Sequence, residues 1–168
     1  MGRATQTVNE ERLRNPATSV MVFRNEIIID RPVEQVWPQL FKFMQWNPHH
    51  IGAKIIRLAG EPDCEGEIVL EYPKAANGYG PPVVIETVKV IPFEKLVWKL
   101  SEPQEKPQSY VVNFTDFSLE SLDARTRFIY HSYFEVLKSA LGSMPSDQQF
   151  DEIHREIFES LKRFVESQ

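Results

Sequence analysis

Residues 146–166 divide, at helical spacing, into one apolar side and one charged side. Such a helix must be buried along one stripe and wet along the other. Phe150, Ile153, Ile157, Phe158, Leu161, Phe164 and Val165 fall together, opposite Asp151, Glu152, Arg155, Glu156, Glu159, Lys162 and Arg163. Ser146 and Gln149 form an S-x-x-Q capping box at its start. The pairs Asp151–Arg155 and Glu159–Arg163 are spaced i,i+4, adding roughly 0.2–0.5 kcal/mol each.

The surface that receives this stripe is written upstream as a series of strands. Residues 21–29 place Phe23, Ile27 and Ile29 on one face and Arg24 and Glu26 on the other. Six further strands are predicted at 53–59, 67–72, 83–91, 95–100, 110–119 and 125–136. Their short connections favour antiparallel neighbours, so the sheet reads as a meander of about seven strands. Between the first two strands, Asp30 offers an N-cap, and Val33, Val36 and Trp37 form a stripe that Pro38 should kink or end. A second short helix is predicted through Leu40, Phe41 and Met44, closing near Asn47-Pro48. Two longer connections, 73–82 and 101–108, are rich in Pro and would lie at one end of the meander. Residues 1–19 read as a flexible polar extension, and 20–168 as a single α+β domain.

Composition narrows the function classes. The chain has 168 residues and a net charge of −5 from 24 acids and 19 bases, with no basic cluster to track phosphates, so no nucleic-acid partner is expected. The single cysteine, Cys64, rules out an intrachain disulfide framework and fits a reducing, cytoplasmic setting. No apolar run approaches the roughly 20 residues that span a bilayer, so no membrane insertion is expected. The Met-Gly start invites a myristoylation reading, but Gln6 stands where that motif wants Ser or Thr. The chain contains no H-E-x-x-H, C-x-x-C, phosphate loop or G-x-S-x-G elbow, and no metal or other cofactor is expected.

The order of elements resembles the Bet v 1-like, or START/SRPBCC, superfamily, and so do local motifs. Ile29-Asp30-Arg31-Pro32-Val33-Glu34-Gln35-Val36-Trp37 resembles the I-x-A-P-x-x-x-V-W opening. Trp46-Asn47-Pro48 is similar to the family's W-N-P, and Pro92-Phe93-Glu94-Lys95-Leu96-Val97-Trp98 to its hairpin into an L-x-W strand. Arg125-Thr126-Arg127 stands where a G-T-R turn is usual. Two departures are Pro38 inside the first helix and Asp123, Ala124 and Arg125 in place of glycines. The resemblance implies a helix-grip fold, a seven-stranded curved antiparallel sheet wrapped around the C-terminal helix, with two short helices after strand 1. It also implies an internal cavity for a hydrophobic small molecule, and it leaves the chemistry open.

Within that fold, side-chain parity nominates residues. His154 lies about 40° round the wheel from Phe150 and about 40° from Phe158, inside the apolar stripe. It is a candidate general acid or base near neutral pH, or a buried structural histidine. Glu86 sits among Val84, Val88 and Val90, and would be a partner for His154 if that face points inward. Val83, Ile85 and Ile91 make the opposite face equally apolar, so parity leaves its direction open. Asn113 and Thr115 share a face with Phe117 and Leu119, and an inward Asn113 could orient a carbonyl. Parity puts His131 outside, opposite Tyr130, Ser132, Phe134 and Val136, unless a bulge brings it in. His154, Glu86, Asn113 and His131 are therefore the catalytic candidates. The cavity candidates are Tyr72, Trp98, Thr115, Tyr130, Ser132, Phe150, Ile157, Phe158, Leu161 and His50, with His50 placed near the mouth.

Three readings follow. The first is a cofactor-independent enzyme, similar to the polyketide cyclase and dehydratase branch, that cyclises, dehydrates or isomerises an apolar substrate. The second is a carrier or sensor of a hydrophobic ligand. The third is an interaction module similar to the activator of the Hsp90 chaperone. A monomer or a homodimer is expected.

Overall fold

The structure, a computed structural model, describes residues 18–102 and 110–168. The expected extension, up to residue 17, and residues 103–109, which include most of the second long connection, lie outside the described residues. The chain runs β1 (Thr18–Ile29), α1 (Val33–Leu40), α2 (Phe43–Trp46), β2 (Lys54–Ala59) and β3 (Ile68–Tyr72). A small hairpin, β4 (Lys74–Ala75) and β5 (Gly78–Tyr79), precedes β6 (Val83–Ile91), β7 (Lys95–Ser101), β8 (Tyr110–Leu122) and β9 (Arg125–Leu137). A short 3-10 turn, Lys138–Ser143, leads into α3 (Asp147–Glu166). The seven-stranded sheet has the order β1-β9-β8-β7-β6-β3-β2, with antiparallel neighbours throughout. It is the meander expected from the sequence, closed by β1 returning to β9.

Helix α3 begins with the expected capping box: the Gln149 backbone N–H donates to Ser146 Oγ and the Ser146 N–H to Gln149 Oε1. Phe150, His154, Phe158, Leu161 and Val165 are its buried residues, and Phe158 meets Phe128 of β9 edge-on at 5.6 Å between ring centroids. The C-terminal end of α3 is tied to the junction of β1 and α1. Lys162 Nζ donates to the Ile28 carbonyl at 3.0 Å, and Arg31 donates to the Glu166 carbonyl at 2.6 Å. Ser160 Oγ donates to the Trp46 carbonyl, which binds α2 to the same helix. These links hold α3 along one face of the sheet, called here the inner face.

Local details depart from expectation in informative ways. β1 opens at Thr18 rather than Met21, paired with Leu137. Pro32, not Asp30, precedes α1; the Asp30 backbone N–H instead donates to Glu166 Oε1 at 2.9 Å. Pro38 does not end α1, which runs on to Leu40 because only the one hydrogen bond from the missing N–H is forgone. The β8–β9 turn without glycines works through Asp123, which takes φ 57°, a left-handed conformation that Asp tolerates. The connection at 73–82 contains the β4–β5 hairpin.

Gly60, after β2, has φ +78°, and a Cβ there would lie 2.5 Å from the Gly66 carbonyl oxygen and 2.6 Å from Glu67 Cα. Gly66 has φ +90° with open space around it. Gly60→Ala should therefore destabilise the fold by about 3 kcal/mol or more, and Gly66→Ala by about 1–2 kcal/mol. Urea unfolding of the two variants checks the ranking; equal losses would contradict the close backbone approach.

Candidate functional site

The inner face has a polar half and an apolar half. On β8 and β9, Asn113, Thr115, Tyr130 and Ser132 all point inward and are buried. Asn113 Nδ2 donates to Ser132 Oγ at 2.7 Å, and Thr115 Oγ1 donates to Asn113 Oδ1 at 2.9 Å. The Tyr130 phenol hydrogen-bonds to Ser132 and Thr115, which completes a ring of four side chains. Burial pushes the Tyr130 phenol above its ordinary value of 10.0, and those two hydroxyls oppose the shift. The phenol therefore stays neutral at physiological pH.

His154 faces this ring from α3. It is 4% exposed and surrounded by aromatic rings, with Tyr130 at 4.8 Å, Phe23 at 5.8 Å, Phe150 at 5.9 Å and Phe158 at 6.0 Å. Its Nδ1 lies 3.5 Å from Asn25 Nδ2, a contact at the long limit of a hydrogen bond. Burial lowers its pKa below 6.5; the nearby charge of Asp151 acts the other way and that of His49 adds to the lowering. The imidazole is thus neutral at pH 7. Asn25 was not singled out from the sequence, although its parity with Phe23 and Ile27 on β1 was there to read.

The apolar half lies at the other side of the sheet, where α2 stands over β2, β3, β6 and β7. A cavity of about 290 Å³ opens between them. Phe41, Phe43, Ile55, Val69, Ile85 and Trp98 supply apolar wall, and Thr87, Arg57, Glu67 and Asp63 supply polar wall. This volume sits near the lower end of small-molecule sites, about 300–1,000 Å³. Arg57 Nε donates to Glu67 Oε1 at 3.0 Å, and Glu67 Oε2 accepts the Asp63 backbone N–H at 2.9 Å. The two halves meet at a cross-strand pair, because Trp98 of β7 is the register partner of Thr115 of β8.

Several sequence candidates lie elsewhere. Glu86 is on the outer face, ion-paired with Lys99 at 3.2 Å; the inner residues of β6 are Ile85 and Thr87. His131 is also outside. No register shift interrupts β9 beside it, and it lies across from Arg24 and Asp116. Tyr72 points outward over Lys54, because Val69 and Glu71 take the inner face of β3. The inward charge of Glu71 reverses the expected parity: it is 1% exposed, and its Oε1 lies 2.5 Å from His50 Nδ1. Trp98 lines the cavity. Phe150, Phe158 and Leu161 are inward and buried, with Ile157 packed against the same core. Among the described residues, no group of three or more His, Cys, Asp or Glu is placed to hold a metal ion. No helix among them is long and apolar enough to cross a membrane.

No protein-family profile matches the sequence, and no curated protein is similar to it at the sequence level. Solved structures are similar in shape. Ara h 8.0201 superposes with a TM-score of 0.67 at 13% identity, covering 89% of this chain and 100% of that one. The Zhui aromatase/cyclase from Streptomyces sp. R1128 gives 0.65 at 12% identity, over 88% of this chain and 94% of that one. StfQ, a di-domain ARO/CYC from the steffimycin biosynthetic pathway, gives 0.68 at 14% identity, over 95% of this chain and 53% of that one. The chain has the Bet v 1-like helix-grip fold. In this helix-grip chain, the inner face of the sheet carries both halves of the site, with α3 over the polar half and α2 over the apolar one.

The position of His154 makes a stability prediction. Its folded pKa is depressed relative to the unfolded chain, so the unfolded state takes up a proton first as pH falls. Stability from this group is complete above about pH 6.5 and is lost on acidification below it, with a limiting slope of about 1.4 kcal/mol per pH unit. Urea midpoints from about pH 8 to pH 5 should fall less for His154→Leu than for the wild type. Parallel curves would contradict the buried, neutral imidazole.

Proposed function

We propose that this chain binds an apolar polyketide-, terpenoid- or lipid-like molecule in its interior and promotes its cyclisation, dehydration or isomerisation. The work would be done by positioning plus proton transfer. The observation that carries the reading is the join between the two halves of the interior. An aromatic-walled cavity abuts, through Trp98 and Thr115, a strip of buried hydrogen-bonding side chains that runs on to His154. An extended apolar molecule seated against Trp98 would have its polar end directed at that strip. Holding it in one conformation can by itself supply several kcal/mol of rate enhancement. Neutral His154 can accept a proton or polarise a carbonyl, with Asn113 and Tyr130 as neutral hydrogen-bonding partners. Two structurally similar proteins, Zhui and StfQ, carry aromatase/cyclase names, which accords with this chemistry.

A specific observation also favours a second reading, a carrier of a hydrophobic ligand. Asn113, Thr115, Tyr130 and Ser132 spend much of their hydrogen-bonding capacity on one another, as groups do when their task is to stay satisfied in a core. Incubation of the full chain with a cell extract, followed by native mass spectrometry, separates the two readings. The enzyme reading expects the wild type to retain a product and His154→Ala to retain its precursor. The carrier reading expects one compound on both. Retention of nothing apolar by either protein would overturn the proposed ligand class.

A further inference from the structure

The interior holds a second histidine whose surroundings are chemically distinct from those of His154. His50 follows α2, and its Nδ1 lies 2.5 Å from Oε1 of Glu71. Glu71 is 1% exposed on the inner face of β3, where an ionised carboxylate is costly unless a partner meets it. With Nδ1–H donating to that carboxylate, the lone pair of the ring is on Nε2. The His50 side chain remains 21% exposed, so the ring is held yet open.

The pair does not itself line the cavity but lies directly behind residues that do. The His50 ring stands edge-on to Phe43 at 5.1 Å, and Phe43 in turn meets Trp98 at 5.0 Å. Glu71 is two residues from Val69 on the same face of β3 and is the register partner of Ile55. Phe43, Trp98, Val69 and Ile55 all line the cavity. A base oriented by a carboxylate thus borders an apolar pocket, which is the arrangement proton abstraction requires. His154 has rings around it instead of a carboxylate partner.

We propose that His50 is the general base of the cavity, that Glu71 is its positioning residue, and that the substrate class is an apolar molecule bearing an enolisable carbonyl. This rests on the apolar-ligand reading above and gives proton abstraction to His50, leaving His154 to polarise a carbonyl. Nε2 takes the proton from the carbon next to the carbonyl, and the C–H electron pair moves into the enolate. The enolate then either forms a carbon–carbon bond to a second carbonyl or expels a β-hydroxyl group. In the first case the alkoxide formed at the second carbonyl takes the proton back from His50; in the second the hydroxyl takes it and leaves as water, so no oxidant or co-reactant is needed.

The test uses the full chain and 5-nitrobenzisoxazole, an apolar probe that a base opens by removing the ring C–H proton as the N–O bond breaks, releasing a coloured phenolate. The wild type should open it faster than buffer does. His50→Gln should lower kcat about 100-fold while KM stays within about twofold. Glu71→Gln should lower kcat by a smaller factor, also without a change in KM, because it removes orientation and not the base. A wild-type rate equal to buffer, an unchanged kcat in His50→Gln, or a loss confined to KM would overturn the proposal. If His50→Gln does not fold, diethylpyrocarbonate labelling of the wild type decides. Ring-opening activity should be lost in step with the label on His50, and retention of activity after that label is complete would overturn the assignment. Binding of the dye 1-anilinonaphthalene-8-sulfonate is read alongside. Dye bound without ring opening overturns the base alone, whereas failure of both dye and benzisoxazole to bind overturns the apolar-ligand reading with it.

Discussion

Side chains buried on the inner face of the sheet are withdrawn from water by α1, α2 and α3, so each polar one must find its partner inside the fold. A buried donor or acceptor left unpaired costs about 1–3 kcal/mol, a large share of a domain's net stability. That constraint organises the interior more than any single apolar contact does. It explains why Asn113, Thr115, Tyr130 and Ser132 close on one another, and why Glu71 is met by His50. It also ties the loop after α2 to β3, because His50 meets Glu71 there.

The same constraint divides the interior by chemistry. At the β1-β9-β8 end, hydrogen bonding is largely internal, and His154 is kept neutral by the rings around it. At the β2-β3-β6-β7 end, α2 bridges the sheet over a cavity whose wall is aromatic and aliphatic, with Arg57 and Glu67 paired on its polar side. Trp98 belongs to both regions, since it touches Phe43 on the cavity side and Phe117 on the other. A ligand that filled the cavity would therefore press on the aromatic layer under α3. The two histidines are placed differently towards such a ligand, His154 beneath the helix and His50 beside the wall.

The strands and the stripe of α3 were legible in the sequence because both rest on periodicity, and the short connections gave the antiparallel meander, though not the pairing of β1 with β9. Parity also gave the inward direction of Asn113 and Thr115, opposite Asp116 and Ser118 on β8, and of Ser132, which shares the apolar face of Phe128 and Tyr130 on β9. It failed on β3 for a physical reason. The rule assumes that a carboxylate faces water, and Glu71 faces inward because a residue 21 positions earlier supplies its hydrogen bond. Nothing local to β3 signals that partner. β6 was ambiguous because both of its faces are apolar, and the answer came from pairing, as Ile85 lies across from Val69 on the inner face. Pro38 misled in the opposite direction. It marks a helix end in general, yet here α1 gains enough from burying Val36, Trp37 and Leu40 to continue past it.

The central claim is that an apolar molecule enters between α2 and the sheet. Methyl NMR of the isoleucine, leucine and valine side chains, recorded while 1-naphthol is titrated in, tests it most directly. The account predicts saturable shifts concentrated on Ile55, Val69 and Ile85, which line the cavity, with little change at the exposed Val22 and Leu58. Shifts confined to Val22, Leu58 and other exposed methyls, or shifts that never saturate, would contradict it.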